Sequence, residues 1–318
     1  MGKSQEFLAL LHSMEAAAHC DVRVMLEGKS GTGKELVARA IHQFSNRNGG
    51  PFVAIDCGAI PENLFESELF GHAKGAFTGA DRTRTGLIEE ANRRTLFMDE
   101  IVNLPLVMQA KLMRVLQEGE VRPLGANQTW KVDVRIISVS SQSLRELVAR
   151  KLFREDLFYR LLVFPIYIPD LRERNDDVTL LANHFLQKIV AQQGKQAVHF
   201  HAHVLDFIKQ RVWPGNIREL ENFVERLVTL TPANTKNIDP GVLPADLHLE
   251  FERFQTSQDR MVETRSFHEQ LRVRECEILQ DALVASGWRQ SKAAQRLSLS
   301  EQNLRYRMKK LGIHKPGR

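Results

Sequence analysis

Seven residues, Gly28-Lys29-Ser30-Gly31-Thr32-Gly33-Lys34, have the types and spacing to hold a phosphate. The three glycines let backbone N–H groups curl around an anion. A helix starting at the loop would add the positive end of its dipole, and Lys34 would neutralise the β- and γ-phosphates. Glu35 stands where such loops usually carry a hydroxyl for Mg²⁺. About 65 residues further on, Thr95-Leu96-Phe97-Met98 runs into Asp99-Glu100. An apolar strand ending in two acids suits the other half of phosphate chemistry: Asp99 holding Mg²⁺, Glu100 aligning and polarising an attacking water. An acidic helix start is the bland alternative, since acids favour that location. The order of glycine loop and acid pair favours catalysis.

Three arginines invite a related reading. Arg218 falls in the first turn after Asn216, a plausible N-cap, and a cation is unfavourable there unless it meets an anion such as phosphate. Arg154 and Arg160 are six apart and could pair locally with Glu155 or Asp156. Gly75-Ala76-Phe77-Thr78-Gly79-Ala80 is too small and glycine-rich for a rigid helix or strand interior. It predicts a mobile loop with Phe77 at its tip, and the residues alone leave open whether Phe77 packs or makes a contact. His199, His201 and His203 have no carboxylate or cysteine at ligand spacing, which argues against a metal.

The elements that must position these groups are legible from periodicity. Strands are expected at Val22–Leu26, Pro51–Ile55, Thr95–Met98 and Val132–Val139. Helices are expected at 5–19, 35–41, 61–70 and 105–118. Strands alternating with helices predict an α/β fold with a mostly parallel sheet, whose ligands lie beyond the strand C-termini, where Ser140-Ser141 would also fall. From Asn175 the pattern turns to helices alone, at about 175–193, 202–212 and 216–230, the last after the turn Trp213-Pro214-Gly215. A proline-bearing and then polar stretch reads as a linker. The tail gives helices at 272–285, 290–297 and 301–311, the last capped by Ser300. The last two, with a turn at Ser298-Leu299, match a helix-turn-helix. Gln302, Arg305, Tyr306, Arg307 and Lys309 would face a DNA groove.

Charge supports this division. The 318-residue chain carries +5, but residues 271–318 alone hold 11 Lys/Arg against 4 Asp/Glu, leaving the rest slightly acidic. A basic tail behind a near-neutral body suggests nucleic acid. No apolar run is of membrane-spanning length, the N-terminus has no secretory pattern, and Cys20, Cys57 and Cys276 make no disulfide framework. A reducing cytoplasm is the expected compartment.

On these residues the chain resembles the sigma-54-dependent transcriptional activators, the bacterial enhancer-binding proteins of the AAA+ superfamily. The resemblance runs from about Ser4 to Ile313, and the hexapeptide Gly75–Ala80 is its most specific piece. It is carried as well by Glu68-Leu69-Phe70-Gly71-His72, Phe153-Arg154 with Asp156-Leu157 and Arg160, Leu171-Arg172-Glu173-Arg174, and Trp213–Leu220. It implies an AAA+ α/β subdomain over 1–170, a helical lid over 171–247, a linker over 248–270 and a Fis-like helix-turn-helix domain over 271–318.

The resemblance also implies a mechanism. ATP and Mg²⁺ would bind between subunits of a ring, commonly a hexamer, through Gly28–Glu35 and Asp99. Glu35 is the family's own residue after the lysine. Arg154 and Arg160 would reach the neighbour's γ-phosphate, and Arg218 would be the lid sensor. Gly75–Ala80 would touch sigma-54 in the RNA polymerase holoenzyme. Ser300, Gln302, Asn303, Arg305, Tyr306, Arg307 and Lys309 would hold an upstream enhancer, as dimers on an inverted repeat. A regulator acting in trans, or a segment further N-terminal, would supply the signal.

Several positions depart from the family. Lys29 replaces a Glu and puts another positive charge beside the phosphates. Asp56 replaces the Asn that restrains the catalytic Glu, and Ser141, with a shorter reach, replaces the sensor Asn. Arg93-Arg94 replaces a Gly-Gly turn, and Ser298 the turn Gly of the helix-turn-helix. They motivate an alternative reading, a DNA-binding regulator or hetero-ring partner with weak ATPase of its own.

Overall fold

Five short apolar runs pair as strands: β1 (Val24–Glu27), β2 (Phe52–Asp56), β3 (Arg94–Asp99), β4 (Val134–Ser140) and β5 (Phe164–Tyr167). They lie in the order β2-β3-β4-β1-β5, every pairing parallel. The computed structural model describes residues 1–196, 199–263, 267–286, 288–311 and 313. These form two units, Met1–Leu243 and Pro244–Arg318.

In the first unit, parallel neighbours need crossovers, and helices supply them. They are α1 (Gln5–His19), α2 (Lys34–Gln43), α3 (Glu62–Phe70), α4 (Leu87–Glu90), α5 (Leu106–Glu118), α6 (Leu144–Ala149) and α7 (Glu155–Leu161). Strand residues alternate between two cores, as the period of two requires. Met25, Leu96, Met98 and Ile136 pack with Phe65, Leu112, Leu144 and Leu157. Val24, Leu26, Phe97, Ile137 and Val139 pack with Leu10, Ala17, Ala38 and Ile41. The sheet is therefore covered on both faces. The edge strand β5 has no counterpart in the sequence reading because Pro165 interrupts its run. At an edge, a missing N–H leaves the ladder intact.

After a 3₁₀ turn at Leu171–Arg174 come α8 (Asn175–Gln193), α9 (Ala202–Gln210) and α10 (Asn216–Leu230). The turn is tied to the start of the chain. Asp177, fully buried, accepts from the Ser4 amide at 3.1 Å, the Ser4 hydroxyl at 2.8 Å and Arg174 Nε at 3.1 Å, and also from the Lys3 amide. The Arg174 guanidinium donates to the Met1 carbonyl at 2.9 Å and lies over the Phe7 ring. Burial alone would raise the Asp177 pKa, but these donors hold it below the usual carboxylate range.

The second unit holds α11 (Ala245–Glu263), α12 (Phe267–Ala285), α13 (Gln290–Arg296) and α14 (Glu301–Leu311). The stretch expected as a linker is thus helical to Glu263. No proline or glycine follows Pro244 in that helix, and Leu247 and Phe251 are buried. Polar composition concealed the apolar spacing. Leu279, Leu283, Ala293, Ala294, Leu304 and Met308 form the core of the last three helices. Among the described residues, no helix is long and apolar enough to cross a membrane.

Candidate functional site

β1 delivers Gly28–Lys34 to the carboxyl edge of the sheet, and α2 begins at Lys34. Gly31 and Gly33 adopt φ of 78° and 92°, values that favour glycine. Lys34 is only 8% exposed. Its ammonium spans the loop, donating to the Gly28 carbonyl at 2.8 Å and the Lys29 carbonyl at 3.1 Å, and stands 3.9 Å from Glu100 Oε1. Burial lowers its pKa, against the opposing pull of Glu100 and Asp99. The Thr32 hydroxyl donates to the Lys29 carbonyl at 2.9 Å.

β3 ends in the acid pair on the same edge. Burial, with Glu100 and Asp56 nearby, holds the Asp99 carboxyl above its usual range, although the Glu100 amide donates to it at 3.0 Å. Glu100 takes the left-handed φ of 47°. Its Oε2 accepts the Ser141 hydroxyl at 2.6 Å and the Ser141 amide at 3.3 Å. Ser141 is thus tied to the acid through both its hydroxyl and its amide. Asp56 accepts the Gly58 amide at 2.8 Å. Beneath the acids, the buried Cys57 thiol is pushed up to about 12, chiefly by desolvation and then by the three carboxylates.

The helical region closes over the loop. Arg218 donates through its amide to the Gly31 carbonyl at 3.3 Å and through its guanidinium to the Ser30 hydroxyl at 3.2 Å. Asn216, read from the sequence as a cap, does something else. It is the first residue of α10 at a φ of 54°, buried, and its side chain donates to the Ser30 carbonyl at 3.0 Å and accepts the Leu171 amide at 2.9 Å. Gly215 is the cap position, and its amide donates to Glu219 at 2.8 Å. A cavity of about 330 Å³ adjoins the loop, lined by Phe7, Leu10, Leu36, Leu181, Phe185 and Ile217 among others. The sequence reading missed it, and the one local signal was Leu36, an apolar residue exposed on α2.

Other expected residues lie apart. Glu35 faces solvent and pairs with Arg39 at 2.7 Å. Lys29 pairs with Asp170, so its charge is already engaged. Arg154 makes a two-bond contact with Asp156, at 3.1 and 2.7 Å. Arg160 donates to the Leu116 carbonyl at 3.4 Å. Among the described residues neither arginine pairs with Asp99 or Glu100.

The segment Gly75–Ala80 rises from a ladder between Gly71–His72 and Arg84–Thr85. The Gly75 amide donates to the Ala80 carbonyl at 2.8 Å and closes the loop. Phe77 remains 40% exposed, its ring edge-on to His72, which is itself held by Ser67 at 2.7 Å.

In the second unit, the Ser300 hydroxyl accepts the Asn303 amide at 3.2 Å and caps α14. Gln302 and Tyr306 are exposed. Arg305 donates to Gln290 at 3.0 Å, and Arg307 to Asn303 at 3.0 Å and to Glu275. The Lys309 side chain lies outside the described residues. His201 caps α9, accepting the His203 amide at 3.3 Å.

A five-stranded parallel sheet with a glycine loop and an acid pair on its carboxyl edge, closed by a helical region, defines a P-loop ATPase of the AAA+ class. Three families match the chain in succession: the Sigma-54 interaction domain over residues 1–167, the AAA+ ATPase lid domain over 172–260 and the Bacterial regulatory protein, Fis family, over 270–311. The chain belongs to the sigma-54-dependent transcriptional activators. It is 42% identical over 294 residues to the regulatory protein AtoC of Escherichia coli strain K12, which covers 91% of this chain and 62% of AtoC. It is 42% identical to the DNA-binding transcriptional regulator NtrC of Azospirillum brasilense, across 98% of this chain and 69% of that one. The chain thus spans less than two thirds of the length of the first of these relatives. Among solved structures, NtrX from Brucella abortus in complex with ADP is similar, with a TM-score of 0.73 and 34% identity over 98% of this chain and 70% of NtrX.

Proposed function

We propose that the chain hydrolyses ATP at Gly28–Glu35 and Asp99-Glu100 and uses the cycle to remodel sigma-54 RNA polymerase at promoters. The observation that carries the reading is the approach of Lys34 to Glu100 across the mouth of the glycine loop. Lys34 would balance charge on the β- and γ-phosphates. Glu100, its second oxygen fixed by Ser141, would orient water with the first. The apolar cavity beside the loop suits a base, and ADP bound to the similar NtrX supports a nucleotide there.

The donor chemistry also fits Mg²⁺. A half-buried carboxyl at Asp99, disfavoured as an anion, gains from a cation beside it. When bound, Mg²⁺ would neutralise charge developing on the phosphates.

Among the described residues Arg154 and Arg160 have no phosphate-site partner within their own chain, which supports their serving a neighbour in a ring, most simply a hexamer. Arg154 would then exchange Asp156 for a γ-phosphate. Gly75–Ala80 would engage sigma-54, and α14 would hold enhancer DNA, with Ser300, Gln302, Asn303, Arg305, Tyr306, Arg307 and Lys309 on or beside the contact face. A regulator in trans is a further partner of this reading.

Steady-state ATP hydrolysis measured against protein concentration tests it, with Glu100→Gln as the blank. Specific activity should rise with concentration and fall by about 10²–10⁴-fold in the variant. Activity no higher than the blank at every concentration would overturn the reading.

A further inference from the structure

Two neighbouring residues of the phosphate loop are joined, one to one, to two neighbouring residues of the connection leading out of β5. Lys29 pairs directly with Asp170. Ser30 is joined to Leu171 through Asn216: the Asn216 amide donates to the Ser30 carbonyl at 3.0 Å and accepts the Leu171 amide at 2.9 Å. Three segments far apart in sequence therefore meet at one point: the phosphate loop, the connection at 168–171 and the first residue of α10.

The fit is close. A methyl on Gly28 would stand 2.9 Å from the Ile168 carbonyl oxygen, and one on Gly31 would stand 2.2 Å from the Gly215 carbonyl oxygen. Asn216 occupies left-handed backbone to make its contacts, a conformation that a non-glycine residue keeps only where its surroundings impose it. Asp170 is fixed from behind. Its amide donates to Glu173 at 2.9 Å, and Glu173 accepts the Tyr167 hydroxyl at 3.1 Å. Its second oxygen, Oδ1, is buried without a hydrogen-bond partner among the described residues. The Lys29 ammonium is thus the compensation this carboxylate has.

We propose that Asp170 and Asn216 are positioning residues of the nucleotide site, forming a two-part clasp that holds residues 29–30 in shape, its Asn216 half only while α10 is seated. The clasp sets affinity for nucleotide and leaves the cleavage step alone. It explains why a lysine is tolerated where the family carries a glutamate: its charge is spent on Asp170 and serves to anchor the loop. This inference rests on the nucleotide reading above.

The test uses the full chain, with isothermal titration of ADP in the presence of Mg²⁺ and steady-state kinetics with ATP. Asp170→Asn should raise Kd for ADP and KM for ATP together by about fivefold, with kcat within about twofold. Exchanging the charges, Lys29→Asp with Asp170→Lys, should bring Kd back toward that of the unaltered chain. Asn216→Gly, which suits the backbone and removes the amide, should give the same split of KM from kcat, at about tenfold. An unchanged Kd in Asp170→Asn, a kcat that falls at constant KM, or no recovery on exchange would each overturn the clasp. ADP binding by the unaltered chain, and its loss in Lys34→Ala, tests the nucleotide reading separately.

Discussion

Gly31 and Gly79 both lie at positive φ, 78° and 101°, in loops built from small residues. A methyl on the first would be driven into the Gly215 carbonyl oxygen, whereas one on the second meets nothing within 4 Å. The phosphate loop uses glycine so that another segment can come close. In the Gly75–Ala80 loop, Gly75 and Gly79 serve the backbone turn alone, with open space where a methyl would sit. One composition therefore serves a clamped structure whose polar groups are engaged, and an open one whose apolar tip is presented.

The contrast can be broken from either side. The largest effect should come from Thr78→Ala at the open loop: promoter opening with sigma-54 polymerase is lost, while ATP hydrolysis persists near the unaltered rate. Opening retained by that variant would remove the loop from the mechanism. Next, Gly31→Ala should raise Kd for ADP roughly tenfold or more, because backbone must move to admit the methyl. Gly79→Ala should leave ADP affinity within about twofold. Equal losses in the two variants would erase the distinction.

The smallest effect concerns Asp99. Its carboxyl titrates above its ordinary value in the fold, so the folded chain binds the proton better than the unfolded one. Ionised Asp99 therefore costs stability at neutral pH, and the cost is relieved as pH falls through the folded value. Asp99→Asn should melt slightly higher than the unaltered chain at pH 7 without Mg²⁺. The gap should narrow toward about pH 4, where both states protonate. A gap that widened in acid would contradict the assignment.

The sequence announced the chemistry better than the restraints on it. Loop, acid pair and four strands were legible because each is a local pattern of residue type and period. Strand β5 was not, since Pro165 masks an edge strand. The partners Asp170 of Lys29, Ser141 of Glu100 and Asn216 of Ser30 were not legible either. They are 141, 41 and 186 residues distant, and only folding brings them together. Arg93 and Ser298, read as departures from glycine, do adopt left-handed backbone, at φ of 61° and 55°. Those turns keep their shape, and the residues bear its conformational cost.

The buried Asp177 also has a mechanical meaning. Met1, Lys3 and Ser4 are moored to Arg174 and Asp177, at the foot of α8, ahead of the first residue of α1. Tension applied at Met1 would pass into the helical region through these bonds before it loaded the sheet. The first four residues behave as a guy-line to the part of the molecule that closes over the phosphate loop.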